Sequence, residues 1–181
     1  MIVVARLNDR AQPLDRGDLY EDPLDDLLRD TGLGAATGGG TQLGENGEIS
    51  YCDVEIELND ADDETLKRIA LVLEKLGAPK GSKLLIEGKE DLPFGHLEGL
   101  AVYLNGTELP QKTYRDCDVN HVYEEFNRLL EDIGSVHSYW EGPTETALYL
   151  YGTSFNLMKD AITEFLNSYP LCERARVVQI A

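Results

Sequence analysis

Between Ser50 and Leu58 the chain reads Ser-Tyr-Cys-Asp-Val-Glu-Ile-Glu-Leu, and this strict two-residue alternation suits one regular conformation. In a β-strand successive side chains point to opposite faces, so Cys52, Val54, Ile56 and Leu58 line one face and Tyr51, Asp53, Glu55 and Glu57 the other. A helix would scatter the same apolar residues around its circumference. The segment predicts a strand with an oily side turned to a core and a row of carboxylates turned outward.

The flanking sequence supplies further elements in a definite order. Ile2 to Leu7 has the β-branched content of a strand, and the polar stretch from Asn8 to Asp18 reads as a loop. A helix then follows, with Asp22 as N-cap, Pro23 in its first turn, Leu24, Leu27 and Leu28 as its apolar stripe and Gly32 at its end. Asn46-Gly47 is a hairpin signal leading into the alternating strand. Asp60 or Asp62 caps a second helix in which Leu66, Ile69, Leu73 and Leu76 fall at helical spacing, and Gly77 and Pro79 stop it. Lys83 to Glu87 is a short strand.

From about Asp91 the pattern begins again. Leu100 to Leu104 is a strand, Val119 to Ile133 a helix, Val136 to Glu141 and Glu145 to Tyr151 a hairpin around Gly142-Pro143, and Ala175 to Ile180 a last strand. Between them Ser154 caps a helix carrying Leu157, Met158, Ile162 and Phe165. Each half has the order βαββαβ, so the expected fold is α+β, two tandem ferredoxin-like units, each an antiparallel sheet with two helices on one face. The join is placed among Gly88, Pro93 and Gly95, giving units 1–90 and 91–181.

Charge narrows the partners. Of 181 residues 34 are acidic and 16 basic, a net charge of −18, which repels nucleic acid and anionic membranes and is complementary to a basic protein. The same charge also serves solubility alone. No apolar run approaches the roughly 18 residues that span a bilayer, and the apolar start is too short for a secretory signal. Cys52, Cys117 and Cys172 are widely spaced and form no CxxC pair, so reduced thiols and a cytoplasmic setting are expected.

Chemical motifs are sparse. Gly38-Gly39-Gly40-Thr41 resembles a phosphate cradle only superficially, because no Gly-Lys-Ser/Thr follows at a helix start; backbone freedom or the close approach of another segment explains it equally. Cys117, His121 and His137, near Asp116 and Asp118, lack a zinc-ligand spacing. No nucleophile elbow is present, and a pair of close carboxylates carries little information among so many acids. Asp15, Asp18, Glu21, Asp22, Asp25, Asp26 and Asp30 form a further acidic run, partly accounted for by helix N-terminal preference. Neither a cofactor nor a metal site is expected.

The expected function is therefore non-enzymatic: an acidic protein, monomer or homodimer, that captures a basic protein partner, an analogy of class in size and charge to immunity proteins and nuclease inhibitors. Tyr51, Asp53, Glu55 and Glu57 would form one contact surface. Tyr139, Trp140, Tyr149 and Tyr151 would form an aromatic one, or would pack the two units together. The alternative is a small-molecule sensor binding near Gly38, Gly39, Gly40 and Thr41 or at the interface of the two units.

Overall fold

The computed structural model describes residues 1–181. The alternating segment is an interior strand of a five-stranded antiparallel sheet built from β1 (Ile2–Leu7), β2 (Gly34–Leu43), β3 (Ile49–Leu58), β4 (Ser82–Ile86) and β5 (Leu92–Phe94), in the order β2-β3-β1-β4-β5. Its apolar side chains meet Val3, Ala5 and Leu7 of β1, Leu84 and Ile86 of β4, and the buried stripes of α2 (Asp22–Asp30) and α3 (Asp63–Lys75), namely Leu24 and Leu28, and Leu66, Ile69 and Leu73. Each valine, leucine or isoleucine among them, fully enclosed, contributes roughly 1.5–3 kcal/mol of transfer free energy. Asp62 caps α3 by accepting the Thr65 N–H at 2.7 Å.

A second sheet repeats the plan with β6 (Glu98–Asn105), β7 (Gly134–Glu141), β8 (Glu145–Gly152) and β9 (Arg176–Gln179), ordered β7-β8-β6-β9. Leu100, Val102, Leu148 and Leu150 pack on Val122 and Phe126 of α5 (Val119–Leu129) and Met158 and Ile162 of α6 (Phe155–Ser168). In both units the third strand of the βαββαβ order lies between the first two, antiparallel throughout, so each is a ferredoxin-like unit.

The units are Met1–Leu97 and Glu98–Ile180, so the boundary falls after Leu97 and not after residue 90. The reason is β5: Leu92, Pro93 and Phe94 pair with Leu84, Lys83 and Ser82, an extra edge strand on which a proline is tolerated. Gly95 follows at φ 103°, with its missing side chain replaced by the Pro79 carbonyl and its N–H held by Glu74 Oε1 at 2.9 Å.

The first helical region also departs from expectation. The helix begins at Pro13 as α1 (Pro13–Arg16), widens into a π-turn over Gly17–Glu21 and continues as α2. Asp22 is thus no cap, and Pro23 lies inside the helix. A proline ring there clashes with the carbonyl four residues back, and the wide turn, in which the Asp22 N–H reaches the Gly17 carbonyl, absorbs the conflict. Gly32 at φ 65° ends α2 as expected. A short extra helix, α4 (Gln111–Asp116), precedes α5, which ends at Leu129 and not at Ile133. Ser154 stands at the start of α6, yet its side chain makes no capping bond; Glu98 of β6 accepts the Phe155 N–H at 2.7 Å instead.

Candidate partner-binding face

The two helices cover one side of the first sheet, and the residues of opposite parity form the other. Three rows lie side by side there. On β3 run Tyr51, Asp53, Glu55 and Glu57; on β1 the matching residues are Arg6 opposite Asp53, Val4 opposite Glu55 and Ile2 opposite Glu57. On β2, Gly40 stands opposite Asp53, Gly38 opposite Glu55 and Ala35 opposite Glu57. At about 3.3 Å per residue the three carboxylates span roughly 13 Å, too far apart to share one ion.

Their electrostatic states differ. Asp53 receives two hydrogen bonds from Arg6, Nε to Oδ1 at 3.0 Å and Nη2 to Oδ2 at 2.9 Å, and the same guanidinium lies 4.2 Å from the centre of the Tyr51 ring. Asp53 and Tyr51 are thus committed within the chain and half-buried. Glu55 and Glu57 are exposed and have no cation of their own. The Glu55 carboxylate leans over Gly38, where an added Cβ would lie 3.8 Å from Oε2. An added Cβ at Gly40 would meet only open space. The result is a bare backbone shelf on one side of the free carboxylates and the aliphatic Val4 and Ile2 on the other.

The glycine triplet resolves residue by residue. Gly38, Gly39, Gly40 and Thr41 belong to β2, paired along β3, and do not form a loop. Gly39 points to the helix side, where a Cβ would lie 2.6 Å from the Asp53 carbonyl and 2.8 Å from Arg16 Nε. Arg16, buried, is ion-paired with Glu21 there and donates from Nη1 to the Thr41 hydroxyl at 2.8 Å. Beside this group Tyr20 donates its hydroxyl to the buried Asp9 at 2.6 Å. Gly39 is therefore required by close approach, while Gly38 and Gly40 leave the outer face clear. Sequence reading treated the triplet and the carboxylate row as separate features. The register, which sets Gly38 beside Glu55, makes them one surface.

The aromatic residues do not form one exposed surface. β7 carries an irregularity between Val136 and Ser138, which shifts the register by one. Tyr139 consequently stands opposite Leu148, on the helix side, and is 47% exposed. Trp140 stands opposite Ala147, half-buried, with its indole against Gly142. Tyr149 and Tyr151 are fully enclosed, and His137 packs its ring 4.7 Å from that of Tyr151. His121 lies instead edge-on to Tyr169 and Phe165, so Cys117, His121 and His137 do not converge, and no group of three ligand-type residues is placed to hold a metal ion.

No helix is long and apolar enough to cross a membrane. No protein-family profile matches the chain, and no curated protein matches it. Among solved structures it is similar to the first two RRM domains of the yeast poly(U) binding protein Pub1, at 11% identity and a TM-score of 0.28, covering 99% of this chain and 98% of that one. It is also similar to a proposed monooxygenase from Fusobacterium nucleatum, at 12% identity and a TM-score of 0.30, covering 98% and 89%. At those scores neither likeness bears on function.

Proposed function

We propose that this is a non-catalytic binding protein whose first unit receives a cationic surface of another protein. The observation that carries the reading is the state of Glu55 and Glu57: exposed, without an ion pair, and flanked by Gly38 and Gly40 on one side and Val4 and Ile2 on the other. A lysine or arginine can lay its aliphatic stem along such a border and bring its head to the carboxylates. The net charge of −18 adds long-range attraction for a basic partner and raises the association rate.

The test is affinity capture from cells at low salt, followed by reconstitution with the purified strongest candidate. A basic partner whose Kd rises at least about tenfold for the Glu55→Lys/Glu57→Lys double variant, equivalent to about 1.4 kcal/mol, supports the reading. Equal affinity for the double variant and the parent protein overturns it.

A further inference from the structure

The second unit holds a groove of about 570 Å³ between the C-terminal half of α6 and the segment that becomes β9. Leu166, Tyr169, Ala175 and Val177 give its lining apolar side chains, and Thr163, Glu173 and Arg174 give it polar ones. β9 is the last strand of its sheet, so one of its edges carries no neighbouring strand. Ile180 donates to the Gly99 carbonyl at 2.9 Å, and the register pairs Ala101 with Val178 and Val102 with Val177. In an antiparallel ladder alternate residues are bonded inward, so Val177 turns its N–H and C=O to the outer edge. Its side chain, opposite Val102, faces the helix side and forms part of the groove.

The chain enters β9 through Arg174, a non-glycine residue at φ 62°, whose side chain is tied to Glu108 at 3.3 Å. That conformation is costly and sets the lip of the groove. Glu173, next to it, is exposed and makes no ion pair. The unit as a whole has 13 acidic and 6 basic residues.

We infer that the groove is a strand-addition site for an extended segment of another protein, one that carries a β-branched residue flanked by lysine or arginine. The added strand bonds to the Val177 edge, its apolar side chain lies between Leu166 and Val177, and its cation meets Glu173. In such docking the main-chain bonds supply affinity and the alternate side chains supply selectivity. The site lies on the second unit and stands independently of the carboxylate face on the first.

The probe is the peptide acetyl-Lys-Val-Lys-Val-Lys-amide, titrated into the 181-residue chain and followed by backbone amide NMR. Saturable shifts centred on Ala175, Val177 and Leu166 with a Kd of about 1 mM or tighter are expected. N-methylation of the two valine amides should weaken binding at least about tenfold, and Glu173→Lys should weaken it several-fold. Equal binding of the N-methylated peptide overturns the inference, as does the absence of saturable shifts. Shifts confined to the neighbourhood of Glu55 and Glu57 overturn it while supporting the first-unit reading. Unchanged groove binding by the Glu55→Lys/Glu57→Lys variant supports it.

Discussion

Arg6 and Asp53 form a two-pronged ion pair across β1 and β3, with both contacts at 3.0 Å or less, and this pairing sorts the carboxylate row. One acid is neutralised at home, and the two beyond it are left to the solvent or to a partner. The pair is also a registration device, because its geometry is met only when residue 6 stands directly opposite residue 53.

The stability consequences of that sorting are opposite in sign. Arg6→Met should cost about 1 kcal/mol or less, since both side chains are partly open to water. Glu55→Lys and Glu57→Lys should leave the protein as stable as before or slightly more so, each removing like-charge repulsion at an exposed position. Urea unfolding of the three variants, compared through their midpoints at constant m, checks the order.

Adjacent glycines should respond differently to the same change. Gly39→Ala drives a methyl group into the Asp53 carbonyl and Arg16, so a loss of about 1–3 kcal/mol is expected. Gly40→Ala enters open space and should stay within about 0.5 kcal/mol of the parent protein. Thermal unfolding of both variants distinguishes them. Equal losses would mean that the glycines serve the strand in general and not the approach of Arg16 and Glu21.

Acid should open the outer edge of β2. Asp25 accepts the Ala36 N–H at 2.9 Å and a hydrogen bond from Arg29 at 2.6 Å, and the Arg29 bond chiefly, with the Ala36 bond, holds its carboxyl below the usual range. A depressed folded-state value stabilises the fold above the unfolded value, about 3.9, and that contribution is lost as pH falls through the folded value. Amide exchange at Ala36, corrected for its intrinsic rate, should therefore lose protection below about pH 4. Asp25→Asn should show less protection there already at neutral pH.

The three thiols should separate by access. Burial pushes Cys52 well above the ordinary thiol range and Cys172 up to about 12, whereas Cys117 is half-exposed. At pH 8 a thiol reagent should label Cys117 first and reach the others only on unfolding. Raised folded-state values stabilise the protein below the unfolded thiol value of about 8.5. That contribution is lost as pH rises toward the folded values, so stability should decline above about pH 9. Mass spectrometry of timed labelling and a pH series of melting curves check both statements.

Much of this architecture was legible because its signals are local. The rhythm of Cys52, Val54, Ile56 and Leu58, the spacing of Leu66, Ile69 and Leu73, and Gly32 and Asn46-Gly47 at their turns each depend on the conformation of a few neighbouring residues. Two βαββαβ units follow from their order. Pro23 does stand in the first turn of α2, but Asp22 is no cap, because the π-turn before it keeps the chain helical through tertiary contacts of Arg16, Tyr20 and Glu21.

What the sequence by itself determined is which face of its own strand each side chain takes; what only the tertiary structure decided is which foreign residue stands beside it. Arg6 and Asp53 are 47 residues apart, and the placement of Gly38 by Glu55 depends on a register shift near Thr37. The same kind of shift in β7 parted Tyr139 from the face of Tyr149 and Tyr151. A one-residue slip exchanges the two faces of a strand without altering its local preference. The pairing of free carboxylates with a bare glycine shelf is accordingly a property of the assembled sheet.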